Sequence, residues 1–239
     1  MNIFDKIHYN YQSNNLLKLN ISQIRREHKK KIKWYRYFLK KYLPKDMHCR
    51  ILDIPCGHGN MLYFLRENGY KNFQGYDIDE NRIKIVKELG LPGSIADARE
   101  IIKSEKNVDL IITLDFIEHL EKHEAFIFLK NCFNALNKNG TLIIRTPVTD
   151  SILGTRDLYN DPTHKWAVNS QVLIQILRQT GFRDIILKDE RPVPYKLVNI
   201  FRLFLFYILK TITNIYYIAL GFGPFKVWSS SVFIISKKK

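Results

Sequence analysis

A chain of 239 residues with 46% apolar side chains can bury one sizeable core and leaves little room for a second full domain. Its 38 Lys and Arg against 23 Asp and Glu give a formal charge of +15, which suits an anionic partner or simply a basic surface and says nothing of fold. Three cysteines with no CxxC pair argue against a disulfide framework and a cysteine zinc site, and fit a reducing cytosol.

The N-terminal MNIFDKIHYNYQSNN has no apolar signal core, so secretion is not expected. Apolar residues at helical spacing run from Leu16 to Leu39 through the basic RREHKKKIK and stop before Pro44, which predicts one or two lead-in helices over residues 1–44. From Arg50 the pattern changes. Short apolar runs (RILDI, NFQGYD, GSIAD, VDLIITLD, TLIIRTP) alternate with helical stretches at 60–68, 80–89 and 121–137, and a short turn follows GSIAD. Such alternation predicts βαβ units and a parallel sheet covered on both faces.

After the fifth strand comes the irregular VTDSILGTRDLYNDPTHKWAV. A helix follows, capped by Asn169 or Ser170 and ended by Gly181, and then a sixth strand, RDIILKD. The apolar KLVNIFRLFLFYILKTITNIYYIALGFG (196–223) forms the heart of an insert over 192–228 before a last strand, SSVFIIS. Asn199, Arg202, Lys210 and Asn214 interrupt it into runs shorter than the ~18 uninterrupted apolar residues of a membrane span. A membrane-surface or hydrophobic-substrate element and a packing or homodimer surface are the readings left open.

The loop DIPCGHGN (53–60) places Gly57 and Gly59 between the first strand and a helix, where free N–H groups favour an anionic or polar ligand. A dinucleotide fingerprint fails at its third glycine, Leu62 here, and Asp53 would face a pyrophosphate, so NAD is not expected. A ligand with a cationic centre and an ammonium suits Asp53 better.

Here the residues resemble the class I methyltransferases that use S-adenosylmethionine. Asp53, Cys56, Gly57 and Gly59 match the family's first motif, with Pro55 standing where glycine is more usual. Asp77 of GYDIDE, with Ile78 beside it, matches the acid that takes the ribose hydroxyls about twenty residues after the glycines. Asp97 and Ala98 of SIADARE match the adenine contact, and Asp115 and Phe116 of LDFIEHL match the turn near the methyl donor. The resemblance implies a Rossmann-like α/β fold: a doubly wound seven-stranded sheet of order 3-2-1-4-5-7-6, parallel except for an antiparallel last strand. The methyltransferase domain would span 45–239, and Tyr9, Tyr11 and the basic helix around Arg25 and Arg26 would form a lid, core packing being the other reading of the tyrosines. A proline at position 55 removes an N–H and fixes φ, which places one backbone contact to the donor in question.

His164, in the loop after strand 5, sits where ligands of such folds collect, and the resemblance implies a base or an acceptor-orienting group there, with His119 as a second contact. His119 and His123 lie four apart, but without a third ligand of clear spacing no metal is expected. The resemblance points to O-methylation of a sugar or lipid-linked glycan in surface polysaccharide assembly, in the cytoplasm or on the inner face of the membrane, with contact through 196–223. A quinone-type or other lipid methyltransferase, an RNA methyltransferase and a non-catalytic assembly partner are the alternatives. Nucleic acid is disfavoured because strand 4 ends in LDFI rather than an Asn/Asp-Pro-Pro-Tyr/Phe motif.

Overall fold

The computed structural model describes residues 20–239, so Tyr9, Tyr11, Leu16 and Leu17 lie outside the described residues. Within that range the chain runs α1 (Ile21–Leu39), β1 (Ile51–Asp53), α2 (Asn60–Glu67), β2 (Phe73–Asp77), α3 (Glu80–Glu88), β3 (Gly93–Ile95), α4 (Ala98–Ser104), β4 (Val108–Leu114) and α5 (Lys122–Ala135). It continues through β5 (Leu136–Pro147), α6 (Gly154–Tyr159), α7 (Ser170–Thr180), β6 (Arg183–Asp189), α8 (Leu197–Ala219) and β7 (Ser231–Lys237). The seven strands form one sheet of order β3-β2-β1-β4-β5-β7-β6, with β7 antiparallel to both neighbours and the other pairs parallel. This is the sheet that the resemblance implies.

The central strands are apolar on both faces because helices cover both. Leu52, Ile111 and Ile144 point into one core with α4, α5 and α7, while Ile51, Leu110, Ile112 and Ile143 point into the other with α1 and α2. Helix ends follow local chemistry. Asn20 and Gln23 close a reciprocal capping box on α1, the Asn169 side chain accepts from the Gln171 and Val172 N–H groups on α7, and Gly181 ends that helix.

Three expectations shift. The segment after β3 is the seven-residue helix α4 rather than a turn, because Asp97 caps it and Ile102 anchors it in the core. Part of the irregular stretch folds as the six-residue α6. Helix α5 ends at Ala135 and β5 starts at Leu136, ahead of TLIIRTP, pairing with Val108 across a register shift.

Because β6 runs parallel to β5, Asp189 ends at the same sheet edge as Asp53, Asp77 and Leu114, and β7 departs from that edge, with Ser231 opposite Pro147. Both ends of the segment between β6 and β7, which holds the 192–228 insert, therefore sit at the carboxyl edge of the sheet, where ligands collect in open α/β folds.

Gly75 on β2 is where the sheet meets the DIPCGHGN loop. A Cβ there would lie 2.5 Å from Leu62 Cδ1 and 2.9 Å from the Cys56 side chain. Overpacking of this kind costs about 1–3 kcal/mol. Gly75→Ala is expected to lower unfolding stability by that amount in urea titrations; an unchanged midpoint would mean that the loop gives way freely.

Candidate active site

The loop is built by bonds between adjacent strand ends. Ile54 N–H donates to the Ile112 carbonyl at 2.9 Å and Cys56 N–H to the Tyr76 carbonyl at 2.8 Å. Between them stands Pro55, half-buried and joined to Ile54 by a cis bond. The proline thus forgoes an N–H in a run whose flanking donors already hold the loop to the sheet. Gly57, with φ +54°, turns its N–H onto Asp77 Oδ2 at 2.8 Å. Gly59, with φ +87°, begins α2, and a Cβ there would meet Val86 and Leu91 at 3.1 and 3.2 Å. Both angles favour glycine.

Asp53 and Asp77 are buried at neighbouring strand ends, 1% and 2% exposed. Asp77 is well supplied: besides Gly57 it accepts from Asp79 N–H at 2.9 Å and has Arg82 Nη1 at 3.9 Å, yet burial still raises its pKa above the usual carboxylate range. Asp53 is not, because its Oδ2 has no hydrogen-bond partner. Burial first and the Asp77 charge second push the Asp53 carboxyl well up. Ile78, next to Asp77 in the chain, is 67% exposed.

Helix α1 covers the loop. Buried His28 stacks on His58 with ring centroids 5.2 Å apart and lies 5.4 Å from the Tyr63 ring. Ile24 joins the cluster of Cys56, Leu62 and Tyr63. One face further along, buried Tyr35 lies within electrostatic reach of Asp53 and Asp115, and burial raises its phenol above its ordinary range. Lys31 is exposed at the surface yet within electrostatic reach of Asp115, Arg145 and Glu190, and desolvation holds its ammonium below the usual lysine range. Neither Tyr35 nor Lys31 stands out in the sequence as a site residue. Their helical spacing was the signal.

Asp97 caps α4 by accepting from Arg99 N–H at 2.8 Å, and its carboxylate pairs with the Arg99 guanidinium at 2.6 Å. Those side-chain bonds hold its pKa below the ordinary value. Arg99 also reaches Glu124 at 3.0 Å, and Ala98 is buried in the core. Asp115 occupies the left-handed region with φ 52°, and Phe116 packs edge-on against Phe128 at 5.2 Å. The Arg145 guanidinium bridges Asp115 and Glu190, the latter at 2.5 Å, tying the β4 turn to the start of the insert.

His119 and His164 come together, with ring centroids 4.8 Å apart. The cause is a backbone clamp: the Glu118 carbonyl accepts from Lys165 N–H at 2.9 Å and Trp166 N–H at 3.0 Å, drawing the loop after β5 onto the turn after β4. Thr163 Oγ1 spends its proton on Asp161 Oδ1 at 2.6 Å, so it accepts from His119 Nδ1 at 2.9 Å. His164 Nδ1 faces the Leu158 carbonyl at 2.9 Å and must donate to it. In their neutral forms both rings therefore carry their lone pair on Nε2. Glu118, missed in the sequence although quoted within LDFIEHL, is buried beside them and accepts from Thr146 Oγ1 at 2.9 Å. Burial, then the Asp115 charge, push its carboxyl up to about 8. Glu118, His119 and His164 each bring a ligand atom to within 4.8 Å of the others, a donor set that could take a divalent cation. His164, not His123, is the histidine that meets His119.

The profile of a methyltransferase domain matches residues 17–187, and the chain belongs to that family. Fold and family are those of the class I, S-adenosylmethionine-dependent methyltransferases. A solved S-adenosylmethionine-dependent methyltransferase from Archaeoglobus fulgidus is 28% identical and superposes with a TM-score of 0.64 over 87% of this chain and 94% of that one. A phosphoethanolamine N-methyltransferase of Haemonchus contortus shares the fold, with a TM-score of 0.62, 16% identity and coverage of 86% and 52%. Among curated relatives, the phosphoethanolamine N-methyltransferase of Plasmodium falciparum is 25% identical over 59% of this chain and 56% of its own length. A probable S-adenosylmethionine-dependent methyltransferase of Mycobacterium tuberculosis is 28% identical over 38% of this chain and 32% of its own. The chain thus spans about half or less of these curated relatives.

The residues present fit the donor. The unpartnered Asp53 oxygen calls for a cation or a proton donor, and the glycine turn gives a close backbone approach.

The buried His28 and His58 pair makes the α1 cover acid-sensitive. Burial lowers the two pKa values to about 4 and about 3, respectively. Below about pH 6.5 the unfolded chain takes up protons that the folded chain refuses, so stability falls with pH by up to about 1.4 kcal/mol per unit and group. The melting temperature is expected to drop between pH 6.5 and pH 4.5, and to drop less in His28→Phe; identical pH profiles would place His28 outside the packed cover.

Proposed function

We propose that this methyltransferase transfers the methyl group to a hydroxyl of a sugar or lipid-linked glycan, on the cytoplasmic side of a cell membrane during surface polysaccharide assembly. The observation that carries the reading is the His119–His164 pair at the carboxyl edge, with ring centroids 4.8 Å apart and each Nδ1 engaged by the chain. A hydroxyl acceptor must lose its proton as it attacks, and a positioned base contributes about 10² to 10⁴ in rate. His164 takes that proton and His119 orients the acceptor oxygen. Glu118 holds the two loops together through its carbonyl.

S-adenosylmethionine supplies an electrophilic methyl on a sulfonium, so the chain's task is alignment and exclusion of water, worth roughly 7–11 kcal/mol when the geometry is held. Asp53 binds the donor's ammonium, and the Pro55–Cys56 loop with Gly57 and Gly59 wraps its methionine end. Asp77 accepts from the ribose hydroxyls, having lone pairs left beyond Gly57 and Asp79. Ile78, Asp97 and Ala98 would hold the adenine, and Asp115 and Phe116 would stand nearest the reacting end. Helix α1 acts as the lid, with buried Tyr35 on its inner face.

A lipid acceptor is the second reading. The exposed apolar helix α8 favours it, and relatives carry the names phosphoethanolamine N-methyltransferase and sphingolipid C9-methyltransferase.

Asp77→Ala is expected to abolish binding of S-adenosylhomocysteine in calorimetry, and near-normal affinity would remove Asp77 from the donor site. His164→Ala should lower turnover by about 10² or more while leaving donor affinity unchanged; unaltered turnover would remove it as a base. With labelled donor and fractionated cell extract, label is expected in glycan or glycolipid; label confined to RNA would contradict the proposal.

A further inference from the structure

Helix α8 is built the wrong way round for a soluble protein. It spans 23 residues, contains no buried residue, and is long and apolar enough to cross a membrane by length and composition. Its half-buried stripe carries Asn199, Lys210, Thr213 and Asn214 at helical spacing, alongside Leu203, Phe206 and Tyr217. That stripe packs on the returning chain. Phe206 and Lys210 lie 6.5 and 5.8 Å from the Trp228 ring, Asn214 Oδ1 accepts from Phe225 N–H at 3.0 Å, and the Tyr217 ring stands 4.2 Å from Phe225. The opposite face is exposed: Phe201, Phe204, Leu205, Ile208, Ile212 and Ile215 are 39% to 63% accessible. A surface helix normally turns its apolar stripe inward. Here Asn199, Lys210 and Asn214 turn towards the protein, Arg202 stays exposed, and a continuous apolar face looks out.

Charge identifies what covers that face. No Asp or Glu follows Glu190, whereas Arg191, Lys196, Arg202, Lys210 and Lys226 lie in or beside the insert. A second copy of this chain would bring the same cations against each other; an anionic lipid surface complements them, at roughly 1 kcal/mol per basic residue near it. Topology then fixes the mode. The strands that bracket α8 pair with each other in one sheet, Asp189 opposite Val232, so the chain leaves and returns on one side and crosses no bilayer.

We propose that α8 lies flat in the headgroup–acyl boundary of an anionic bilayer, apolar face down, without spanning it. The Glu190–Arg145–Asp115 bridge joins the start of the insert to the turn after β4, so docking holds the carboxyl edge of the sheet at the lipid surface. The inference stands apart from the choice of acceptor.

The test is flotation of the full chain with vesicles of phosphatidylcholine alone and with about 30% phosphatidylglycerol. Wild type is expected to float with the anionic vesicles and to be partly released by high salt. The double variant Phe204→Glu/Ile208→Glu should bind about tenfold more weakly or worse, since it trades apolar burial for charge. Lys196→Glu/Arg202→Glu should lose the preference for anionic vesicles. Each variant's thermal shift with S-adenosylhomocysteine reports an intact donor site, so failure of docking and failure of the methyltransferase reading are told apart. Wild type remaining with the soluble fraction in both vesicle sets would overturn the inference. So would a dimer in sedimentation velocity that the Phe204→Glu/Ile208→Glu variant dissolves while vesicle binding is absent.

Discussion

Two carboxylates buried side by side, Asp53 and Asp77, are the constraint around which the carboxyl edge is organised. Burying one charge is costly unless it is paired, and burying two next to each other more so. The chain resolves half of the problem itself. Gly57 adopts a left-handed turn that aims its N–H at Asp77, Asp79 adds a second N–H, and Arg82 stands nearby. Gly75 keeps β2 bare so that Cys56 and Leu62 can close over the loop. Asp53 is left with an oxygen that nothing in the described chain satisfies, and its carboxyl is pushed towards the neutral form. A donor bearing an ammonium would remove that imbalance, which is the basis of the role proposed for Asp53.

The same sheet edge gathers the other functional parts. Parallel strands end together, so Asp53, Asp77, the turn after β4 and the loop after β5 converge without a dedicated scaffold. The Glu118 carbonyl then clamps the His164 loop, and Arg145 fastens Asp115 to Glu190 at the start of the insert. Buried carboxylates, imidazole pair and the start of the insert are thus within one connected set of contacts.

Local chemistry made much of this legible in the sequence. Apolar runs between glycine and proline punctuation set the strands, and the family resemblance set their order. Asn169 and Gly181 bound α7, each by its own backbone requirement. What escaped was long-range. Glu118 and Asp115 look alike in LDFIEHL, and only the β5 loop folding back decides that Glu118 is buried while Asp115 stays open. The four-residue spacing of His119 and His123 suggests one helix, but a 3-10 turn ends at His119 and α5 starts at Lys122, so His119 turns to His164 instead. In α8 the sequence shows polar residues interrupting an apolar run; that Asn199, Lys210 and Asn214 share the protein-facing side follows from where Phe225 and Trp228 return.

Calorimetric titration of S-adenosylhomocysteine into wild type and Asp53→Asn tests the central claim most directly. If the unpartnered carboxylate is the donor's counter-charge, the substitution weakens binding by about 100-fold or more, as removal of one partner of a buried ion pair does, while the melting temperature without ligand stays level or rises. Affinity unchanged within about threefold, a difference below 1 kcal/mol, would contradict it.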